Sequence, residues 1–375
     1  MEGFLFRPFF IVALIKLLIM PFLHLYDNDI KHDFYPLTVN NHIMDLKLGL
    51  LTIRDKWKYL AAKQQINLTV DNSPIHDSSK GRSISASYLP TSELNLLDFL
   101  HSEQSPETFG LRQLSNLWDL TQLNAWSIHQ DISILGLTDS STSVPAHVKR
   151  LGNHAIYLGK DVVLEHCTLN TTDGPIHIAD HVQIMDGASL RGPLSIGNNS
   201  IIKMGATIYG GTSIGEHCVI GGEIKNSIIN SYSNKSHHGY IGDSYIGSWC
   251  NLGAGTTCSN VKNTLGDIKV WNIHQNKFNT AVNKVGVFMG DHVRTAINTS
   301  INSGTVIGPF SNIFEFSTIS SKYIPSFAWG GKSTVRYELE KLLSETEKWM
   351  AAKGQSLDSI KKDTIRTLYL QLNKN

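Results

Sequence analysis

The sequence predicts a parallel β-helix built on hexapeptide repeats, with an α/β region before it and helices after it. The main observation is an aliphatic residue at every sixth position, namely Ile178, Ile184, Leu190, Ile196, Ile202, Ile208, Ile214 and Ile220. This period fits neither the roughly 3.6 residues of a helix turn nor the alternation of a flat strand. The second observation is recurrent glycine where corners need positive φ or close approach, at Gly187, Gly192, Gly197, Gly205 and Gly215. A β-sandwich is the weaker alternative, because its strands recur at roughly 8–12 residues.

The composition excludes several classes of partner. The 375-residue chain has a formal net charge of +1 and 17% charged residues, which argues against binding nucleic acid or an anionic membrane surface. Its length allows two domains. The cysteines Cys167, Cys218, Cys250 and Cys258 have no CxxC spacing, so we expect reduced thiols in a cytoplasmic protein.

The first residues allow three interpretations. Residues 3–23 are apolar but interrupted by Arg7, Pro8, Lys16 and Pro21, and no small-residue cleavage site follows them. A membrane anchor remains open, although Lys16 near its centre makes it costly. The favoured interpretation starts the protein at Met20 and treats residues 1–19 as an untranslated extension, with MPFLHLYDND as a first strand ending in acidic residues.

Residues 20–145 are predicted to form the α/β domain. Residues 45–62 are typical of an amphipathic helix whose basic residues, Lys47, Arg54, Lys56 and Lys58, lie on a solvated face. The polar residues 63–115 predict an irregular region with a long loop. A helix follows within residues 114–135, with Trp118 and Trp126 packing against the core, and we place the domain boundary near residue 145.

The repeats are predicted to span residues 146–330. After Ile220 the register slips by two, and we expect Ile228, Asn234, Tyr240, Ile246 and Leu252 at inward positions. Residues 260–285 are too long for a corner, so this excursion should project from the prism. The register resumes at the inward positions Met289, Thr295, Ile301, Ile307 and Ile313.

Residues 331–375 are predicted to form two C-terminal helices. The first would have its N-cap at Ser333 or Thr334 and Gly354 after its end. Helices appended to a β-helix close the open end of its core or contact a neighbouring subunit.

Polar residues are densest where the register slips. They are Glu223, Lys225, Lys235, His237, His238, Tyr240, Asp243 and Asn251. Successive coils stack about 4.8 Å apart, so residues about 18 positions apart become vertical neighbours. Such a cluster offers a histidine base and a cation for a phosphate, and a solvated loop is the alternative.

The run HHGYIGDSYIGSWCNLGAGTTCSN, residues 237–260, resembles the acetyltransferase motif of the bifunctional N-acetylglucosamine-1-phosphate uridyltransferase/glucosamine-1-phosphate acetyltransferase family. That family has a trimeric left-handed β-helix. The resemblance implies a catalytic His237, an orienting Asn251, and acetyl-CoA as cosubstrate. It places the phosphate-binding lysine and tyrosine on Lys225 and Tyr240, and a further asparagine on Asn260.

Further residues near this motif are expected to bind the substrates, and two positions depart from the family's motif. Glu223 and a displaced Arg191 are further candidates for binding the substrate. Backbone N–H groups at Gly253 and Ala254 are expected to contact the acyl-CoA and stabilise the oxyanion. Ser236 replaces the family's glycine, and Val261 replaces a tyrosine.

Residues 20–355 resemble a bacterial branch of sugar nucleotidyltransferases related to that enzyme, which implies a reduced nucleotidyltransferase-like α/β domain. The segment Pro36-Leu37-Thr38 matches the branch, whereas Asn41-His42 replaces its Arg-Pro pair and Lys47 replaces an arginine. Thr38, Lys47 and Arg54 are the candidate nucleotide-binding residues. Asp27 and Asp29 are the candidate Mg²⁺ ligands, and a glycine-rich phosphate loop is absent from the sequence.

Two hypotheses follow. The first is a homotrimeric sugar-phosphate transferase of nucleotide-sugar synthesis that uses a sugar 1-phosphate, a nucleoside triphosphate and acyl-CoA. The second is a catalytically inert β-helix, either a scaffold or a sugar-nucleotide-binding protein, which the departures at Asn41, His42 and Val261 favour.

Overall fold

The computed structural model describes residues 22–27, 29–74, 81–314, 321–331 and 335–372. The apolar extension, the proposed start at Met20 and the proposed N-caps Ser333 and Thr334 lie outside these ranges. Within them, every helix is too short or too polar to span a bilayer.

The N-terminal region is α/β, as predicted. Its central strand β1 (Phe22–Tyr26) is parallel to β4 (Asn67–Asp71) on one side and β5 (Arg82–Ser85) on the other. Leu23 and Leu25 of β1 are fully buried. The expectation of an irregular region over residues 63–115 was therefore wrong in part, because β4 and β5 take their pairing from the apolar central strand. The other strands here are β2 (Lys47–Leu48), β3 (Leu51–Thr52), β6 (Tyr88–Leu89) and β7 (Arg112–Gln113).

The predicted helix over residues 45–62 begins later than expected. Gly49 adopts φ +75° and allows β2 and β3 to form a hairpin, after which α1 (Ile53–Lys63) begins. The Thr52 side chain accepts a hydrogen bond from Asp55 N and caps the helix. Lys56 is 1% exposed, so its expected place on a solvated face was wrong.

The helix predicted within residues 114–135 is present as two segments, α3 (Asp119–Gln122) and α4 (Asn124–Leu135), and Gly136 ends it with φ +63°. The short helix α2 (Leu96–His101) precedes them. Short 3₁₀ helices occupy Asp29–Phe34, Ile43–Asp45, Pro106–Phe109 and Ser141–Ser143.

The β-helix has three faces, each built on a parallel sheet whose strands come from successive coils. Face one contains β8 (Lys149–Leu151), β11 (Thr168–Asn170), β14 (Ser189–Arg191), β17 (Thr207–Ile208), β20 (Glu223–Lys225) and β23 (Tyr240–Gly242). The pair β26 (Thr257–Cys258) and β31 (Ser300–Ile301) forms a separate parallel sheet. The predicted fold class is confirmed. It combines the parallel β-helix indicated by the hexad, whose left hand the family resemblance implies, with a preceding α/β region.

Faces two and three complete the prism. Face two contains β9 (Ile156–Leu158), β12 (Ile176–Ile178), β15 (Leu194–Ile196), β18 (Thr212–Ile214), β21 (Ile228–Ile229), β24 (Tyr245–Ile246), β29 (Phe288–Met289), β32 (Val306–Ile307) and β34 (Tyr323–Ile324). Face three contains β10 (Val163–Leu164), β13 (Gln183–Ile184), β16 (Ile201–Ile202), β19 (Val219–Ile220), β22 (Asn234–Lys235), β25 (Asn251–Leu252), β30 (Arg294–Thr295) and β33 (Asn312–Ile313).

All eight predicted hexad residues are buried in one core with the four cysteines, which are free thiols. The register slip differs from the prediction. Ile208 pairs with Ile224 and Ile214 with Ile229, so this coil is shortened at its corners. The inward positions are therefore Ile224, Ile229, Lys235 and Ile241, whereas Ile228, Asn234 and Tyr240 point outward.

Face two packs on the N-terminal region. Its outward residues Ile228, Tyr245, Phe288 and Val306 share a buried cluster with Leu23 and the other apolar residues of that region. The predicted excursion forms a hairpin, β27 (Lys269–Asn272) and β28 (Lys277–Thr280), and adds Ile268 and Val270 to the same cluster.

The two C-terminal helices are α5 (Leu339–Ala351) and α6 (Ser359–Gln371), capped by Glu338 and Asp358. The N-cap predicted at Ser333 or Thr334 was therefore wrong, because the Glu338 carboxylate accepts the hydrogen bonds of the first turn. They pack along the edge between faces two and three, where Phe310 and Phe327 join their apolar residues. Lys353, which follows α5, donates a 2.9 Å hydrogen bond to Asn234 Oδ1 of strand β22 on face three. The helices therefore lie against the side of the β-helix.

Candidate functional site

Face one presents a column of basic and aromatic side chains. Arg191, Tyr209 and Lys225 occupy successive coils, because Leu190 pairs with Ile208 and Ile208 with Ile224. The Lys225 Nζ atom lies 6.0 Å from the centroid of the Tyr209 ring. Arg191 and Lys225 line one cleft of about 570 Å³ at the edge between faces one and two. Two residues that the sequence singled out separately are thus brought together.

The two cations differ in their partners. Arg191 forms an exposed 2.6 Å ion pair with Asp173, which also lines the cleft. Lys225 has no hydrogen bond or ion pair of its ammonium group among the described residues. An exposed ion pair is weak, so an incoming phosphate can compete with Asp173 for the guanidinium group.

Tyr240 and Glu223 are neighbours on the same face. The Tyr240 ring lies over Gly242, where a Cβ atom would approach the phenol oxygen to 2.2 Å. Burial raises the pKa of Tyr240 to about 12, and the charges of Asp243 and Glu223 act in the same direction. The phenol therefore keeps its proton near neutral pH and can donate a hydrogen bond.

Asn260 belongs to a row of polar side chains at the edge between faces one and two. It donates a 2.5 Å hydrogen bond to Asp243 Oδ2, and Asn226 donates a 2.7 Å hydrogen bond to Asp243 Oδ1. Asn226 also lines the cleft. This row orders the border of the site and places Asn260 beside Gly242 and the Tyr240 hydroxyl.

His237 lies at the corner between faces three and one, with His238 beside it, and both are exposed. Gly255 N donates a 3.1 Å hydrogen bond to His238 O, which places Ala254 one coil away from His237. Gly253 N donates to Thr295 O at 3.1 Å, so this group is engaged within the β-helix. Ala254 N forms no such bond within the described ranges, and Gly253 is the weaker of the two predicted oxyanion donors.

Lys235 is a residue that sequence reasoning placed wrongly. It replaces the aliphatic residue expected at an inward position and is 1% exposed. Its Nζ atom donates to the carbonyl oxygens of His237 and, at 3.0 Å, His238. Burial lowers the pKa of Lys235 to about 8. If residues are counted from the shortened coil, Lys235 pairs with Ile220. That count would have predicted the inward position of Lys235.

Asn251 lies on face three and not on face one. Its side chain faces Asn234, whose amide donates to Asn251 Oδ1 at 3.4 Å. The Lys353 contact brings the end of α5 to the same place. Asn251 on face three and the cleft of Arg191 and Lys225 on face one therefore lie on opposite sides of the corner that carries His237.

The structure does not bring the three predicted nucleotide-binding residues into one cleft. Thr38 donates a 2.6 Å hydrogen bond to Lys31 O, and Arg54 pairs with Asp45 at 2.8 Å. Lys47 lines a different cavity between the N-terminal region and the β-helix.

The predicted Mg²⁺ ligands do not form a site that fits the ion. Asp27 is buried, and its two oxygens accept hydrogen bonds from His42 Nδ1 at 2.9 Å and Ile43 N at 3.1 Å. The Asp29 side chain lies outside the described part of the structure. Among the residues that the structure describes, no cluster of three or more His, Cys, Asp or Glu residues could hold a metal ion.

The segment that replaces the nucleotidyltransferase motif is used for internal contacts. Asn40 and Asn41 both donate to Asp291 Oδ2 of the β-helix, at 3.3 and 3.0 Å. His42 is bound to Asp27. Asn40 and Asn41 therefore fasten the N-terminal region to the prism, whereas the His42 contact stays within the N-terminal region.

Comparison with known proteins finds similarity over about a quarter of the chain. One relative is a bifunctional sugar-1-phosphate nucleotidylyltransferase/acetyltransferase of Sulfurisphaera tokodaii, 36% identical over 98 residues, which cover 26% of this chain and 24% of that protein. A bifunctional protein GlmU of Methanocaldococcus jannaschii is 40% identical over 86 residues, 23% of this chain and 21% of that protein. A GlmU of Synechococcus is 33% identical over 108 residues, 28% of this chain and 14% of that protein.

No family model matches the chain. Among solved structures, the Arabidopsis UDP-N-acetylglucosamine acyltransferase aligns with a TM-score of 0.21 and 15% identity, over 61% of this chain and 94% of that one. The polySia-specific acetyltransferase NeuO aligns with a TM-score of 0.25 and 17% identity, over 55% and 96%. The sequence relatives named above are archaeal and cyanobacterial, so membership of the narrower bacterial branch stays a prediction. The chain spans about a quarter or less of the length of these relatives. Over the aligned part it is similar to proteins named as sugar-1-phosphate nucleotidylyltransferase/acetyltransferase and GlmU.

Proposed function

We propose that the β-helix is an acyltransferase that moves an acetyl group from acetyl-CoA to the amine of an amino-sugar phosphate. The observation that carries the proposal is the cleft that gathers Arg191 and Lys225 on face one. Cations on one wall suit the phosphate of the substrate. The names of the relatives, which include acetyltransferase and sugar-1-phosphate chemistry, support the same substrate class.

In the proposed reaction, the amine nitrogen of the sugar attacks the thioester carbonyl, and His237 accepts a proton from that amine. The C–N bond forms, the C–S bond breaks, and the sulfur of CoA takes up the proton as the thiol leaves. Ala254 N–H is positioned at the same corner for the oxyanion. Lys235 is a positioning residue, because its ammonium holds the carbonyls of His237 and His238. Tyr240, Glu223 and Asn260 orient the sugar, and Asn251 contacts the acyl donor from face three.

We propose a homotrimer in which a neighbouring prism completes the acyl-CoA site at the corner that carries His237. Its substrates and buried free thiols fit a cytoplasmic location. Nucleotidyl transfer and a role for Mg²⁺ are not part of the proposal, because Asp27, Asn41 and His42 are engaged in internal contacts.

The test is incubation of the protein with glucosamine 1-phosphate and acetyl-CoA, scoring the free thiol. We expect thiol release, with a fall of about 10²–10⁴-fold in His237→Ala and a much smaller change in the matched variant His238→Ala. A folded protein that releases no thiol with any amino-sugar phosphate would favour the inert scaffold. A parallel assay with UTP and sugar 1-phosphates, scoring pyrophosphate, tests nucleotidyl transfer.

A further inference from the structure

The outward side chains of face two change character along the β-helix. One column begins with Tyr157, His177, Ser195 and Ser213 in successive coils and continues with Ile228, Tyr245, Phe288 and Val306. The apolar half packs directly on the N-terminal region. Ser213 of the polar half also packs on the N-terminal region, because its hydroxyl donates a hydrogen bond to Asn124. Tyr157, His177 and Ser195 instead line a gap between the two regions.

A cavity of about 520 Å³ lies over this polar half. His177, Ser195 and Tyr157 form its wall on the side of the β-helix. The N-terminal region and the segment after α4 contribute Lys47, Leu50, Leu51, Leu135, Leu137, Thr138 and Ser140. The volume lies in the range of small-molecule sites, and so does the combination of apolar walls with a few polar groups.

Lys47 is the main charged group of the N-terminal wall. Its backbone N–H donates to the Tyr245 hydroxyl at 3.2 Å, whereas its ammonium group has no hydrogen bond or ion pair within the described ranges. Burial lowers the pKa of Lys47. The charges of Glu216 and Asp131 act in the opposite direction. The Lys47 side chain is partly exposed and lines the cavity, so its ammonium group is available to pair with an anion that enters there.

The groups opposite Lys47 can share an anion with it. Ser195 is 2% exposed, and its hydroxyl lies 3.5 Å from His177 Nδ1. Burial and the charge of Lys47 lower the pKa of His177 to about 4, so the imidazole is neutral near pH 7 and can donate one hydrogen bond. Asp180 and Glu216 also line the cavity, which suits a ligand that has hydroxyl or amine groups as well as its anionic group.

We propose that this cavity is a second binding site, for a small molecule with a phosphate or carboxylate group. The anion pairs with Lys47 and accepts hydrogen bonds from Ser195 and His177, while the leucines contact the remainder of the ligand. The site lies on face two, on a different face from the cleft of Arg191 and Lys225, and does not depend on the proposed acyl transfer. Because both regions of the chain line it, the ligand would hold them together.

Binding is tested by calorimetric titration of the full chain with phenyl phosphate, inorganic phosphate and benzoate. All titrations use the Lys225→Met background, so that the face-one cleft contributes little. We expect at least one probe to bind, with Kd at least tenfold higher after the further change Lys47→Met and unchanged after Lys149→Met, which alters an exposed lysine of β8. Binding of the two phosphates but not benzoate would identify the ligand's anionic group as a phosphate. Binding of benzoate alone would identify it as a carboxylate. Failure of all three probes, or the same Kd in Lys47→Met, would overturn the proposal.

A second measurement does not depend on the choice of probe. Without ligand, Lys47→Met should melt at a higher temperature than its parent, because it removes a partly buried ammonium group that has no hydrogen bond or ion pair among the described residues. A lower melting temperature would mean that the ammonium has a structural role, and the binding site would be refuted.

Discussion

Single side chains decide what the cleft on face one can bind. Lys225 and Arg191 approach it from different coils, with Tyr209 between them. Arg191 is held by Asp173, whereas the ammonium of Lys225 is available. The proposed phosphate contact therefore depends mainly on Lys225.

Lys225→Met should raise KM for glucosamine 1-phosphate about tenfold and leave kcat nearly unchanged. A hydrogen bond to a charged group contributes about 1.5–3 kcal/mol, and this one would be present in both the ground state and the transition state. Steady-state kinetics with glucosamine as a second substrate provide the control, because it lacks the phosphate. Equal losses on both substrates would contradict the assignment.

A buried ion pair of the N-terminal region joins Lys56 of α1 to Asp131 of α4. The Lys56 Nζ atom lies 2.5 Å from Asp131 Oδ1 and also donates to Leu48 O at 2.6 Å. Asp131 Oδ2 accepts from Leu50 N at 2.8 Å. The pair thus fastens the β2–β3 hairpin between two helices.

We expect Lys56→Met to lower the free energy of unfolding by about 3–5 kcal/mol, since it leaves the Asp131 carboxylate buried without its partner. Urea titration measures the change. Lys63→Met on the exposed end of the same helix should change it by less than about 0.5 kcal/mol. A similar small change in Lys56→Met would show that the pair is not needed.

At the scale of elements, the edge between faces two and three is built on a ladder of stacked rings. Tyr232 stacks on Trp249 with centroids 4.2 Å apart, and His292 stacks on Phe310 at 4.7 Å. These four residues all have φ near +60°, which non-glycine residues seldom adopt. Stacking and the cover of α5 and α6 compensate for the strained backbone.

His292 makes this ladder sensitive to pH. Burial lowers its pKa to about 3, and the charge of Arg294 acts in the same direction. Because the folded-state pKa is below the unfolded value, the neutral imidazole contributes stability that is complete above about pH 6.5 and is lost as the pH falls toward 3. The loss should be on the order of 2–4 kcal/mol.

His292→Phe keeps the stack and removes the titration. Its free energy of unfolding should therefore fall less steeply than that of the wild type between pH 6.5 and 4. Chemical denaturation at several pH values compares the two slopes, with Phe310→His as a variant expected to steepen the dependence. Parallel slopes for wild type and His292→Phe would contradict the role of the buried imidazole.

At the scale of the molecule, the N-terminal region and the β-helix share one buried cluster. Asn124 reinforces it, because its side chain accepts from Gly49 N at 2.7 Å and donates to Gly211 O at 2.7 Å. Ser213 of face two donates to the same amide at 3.1 Å. The two regions should therefore unfold as a unit.

Ile228→Asp should separate the unfolding of the two regions, since it places an unpaired charge in the shared cluster. We expect one calorimetric transition in the wild type and two in the variant. Val163→Asp, at an outward position that is 51% exposed, is the matched control and should keep a single transition. Two transitions in the wild type would show that the regions are energetically independent.

The sequence by itself determined the β-helix, because a six-residue period is compatible with few other folds and the eight aliphatic residues from Ile178 to Ile220 are confirmed in the core. It also identified the excursion and the two C-terminal helices, whose signals are local. It misplaced the start of α1, since the hairpin before it depends on packing and on one glycine at positive φ.

Only the tertiary structure decided which polar residues meet. The shortened coil moved Lys235 inward and left Asn251 on another face from Lys225, because a change in corner length alters which side chains share a wall. The cleft of Arg191 and Lys225 and the cavity around Lys47 both join residues that are distant in sequence. Such proximity depends on coil stacking and on docking of the N-terminal region, which periodicity alone does not encode.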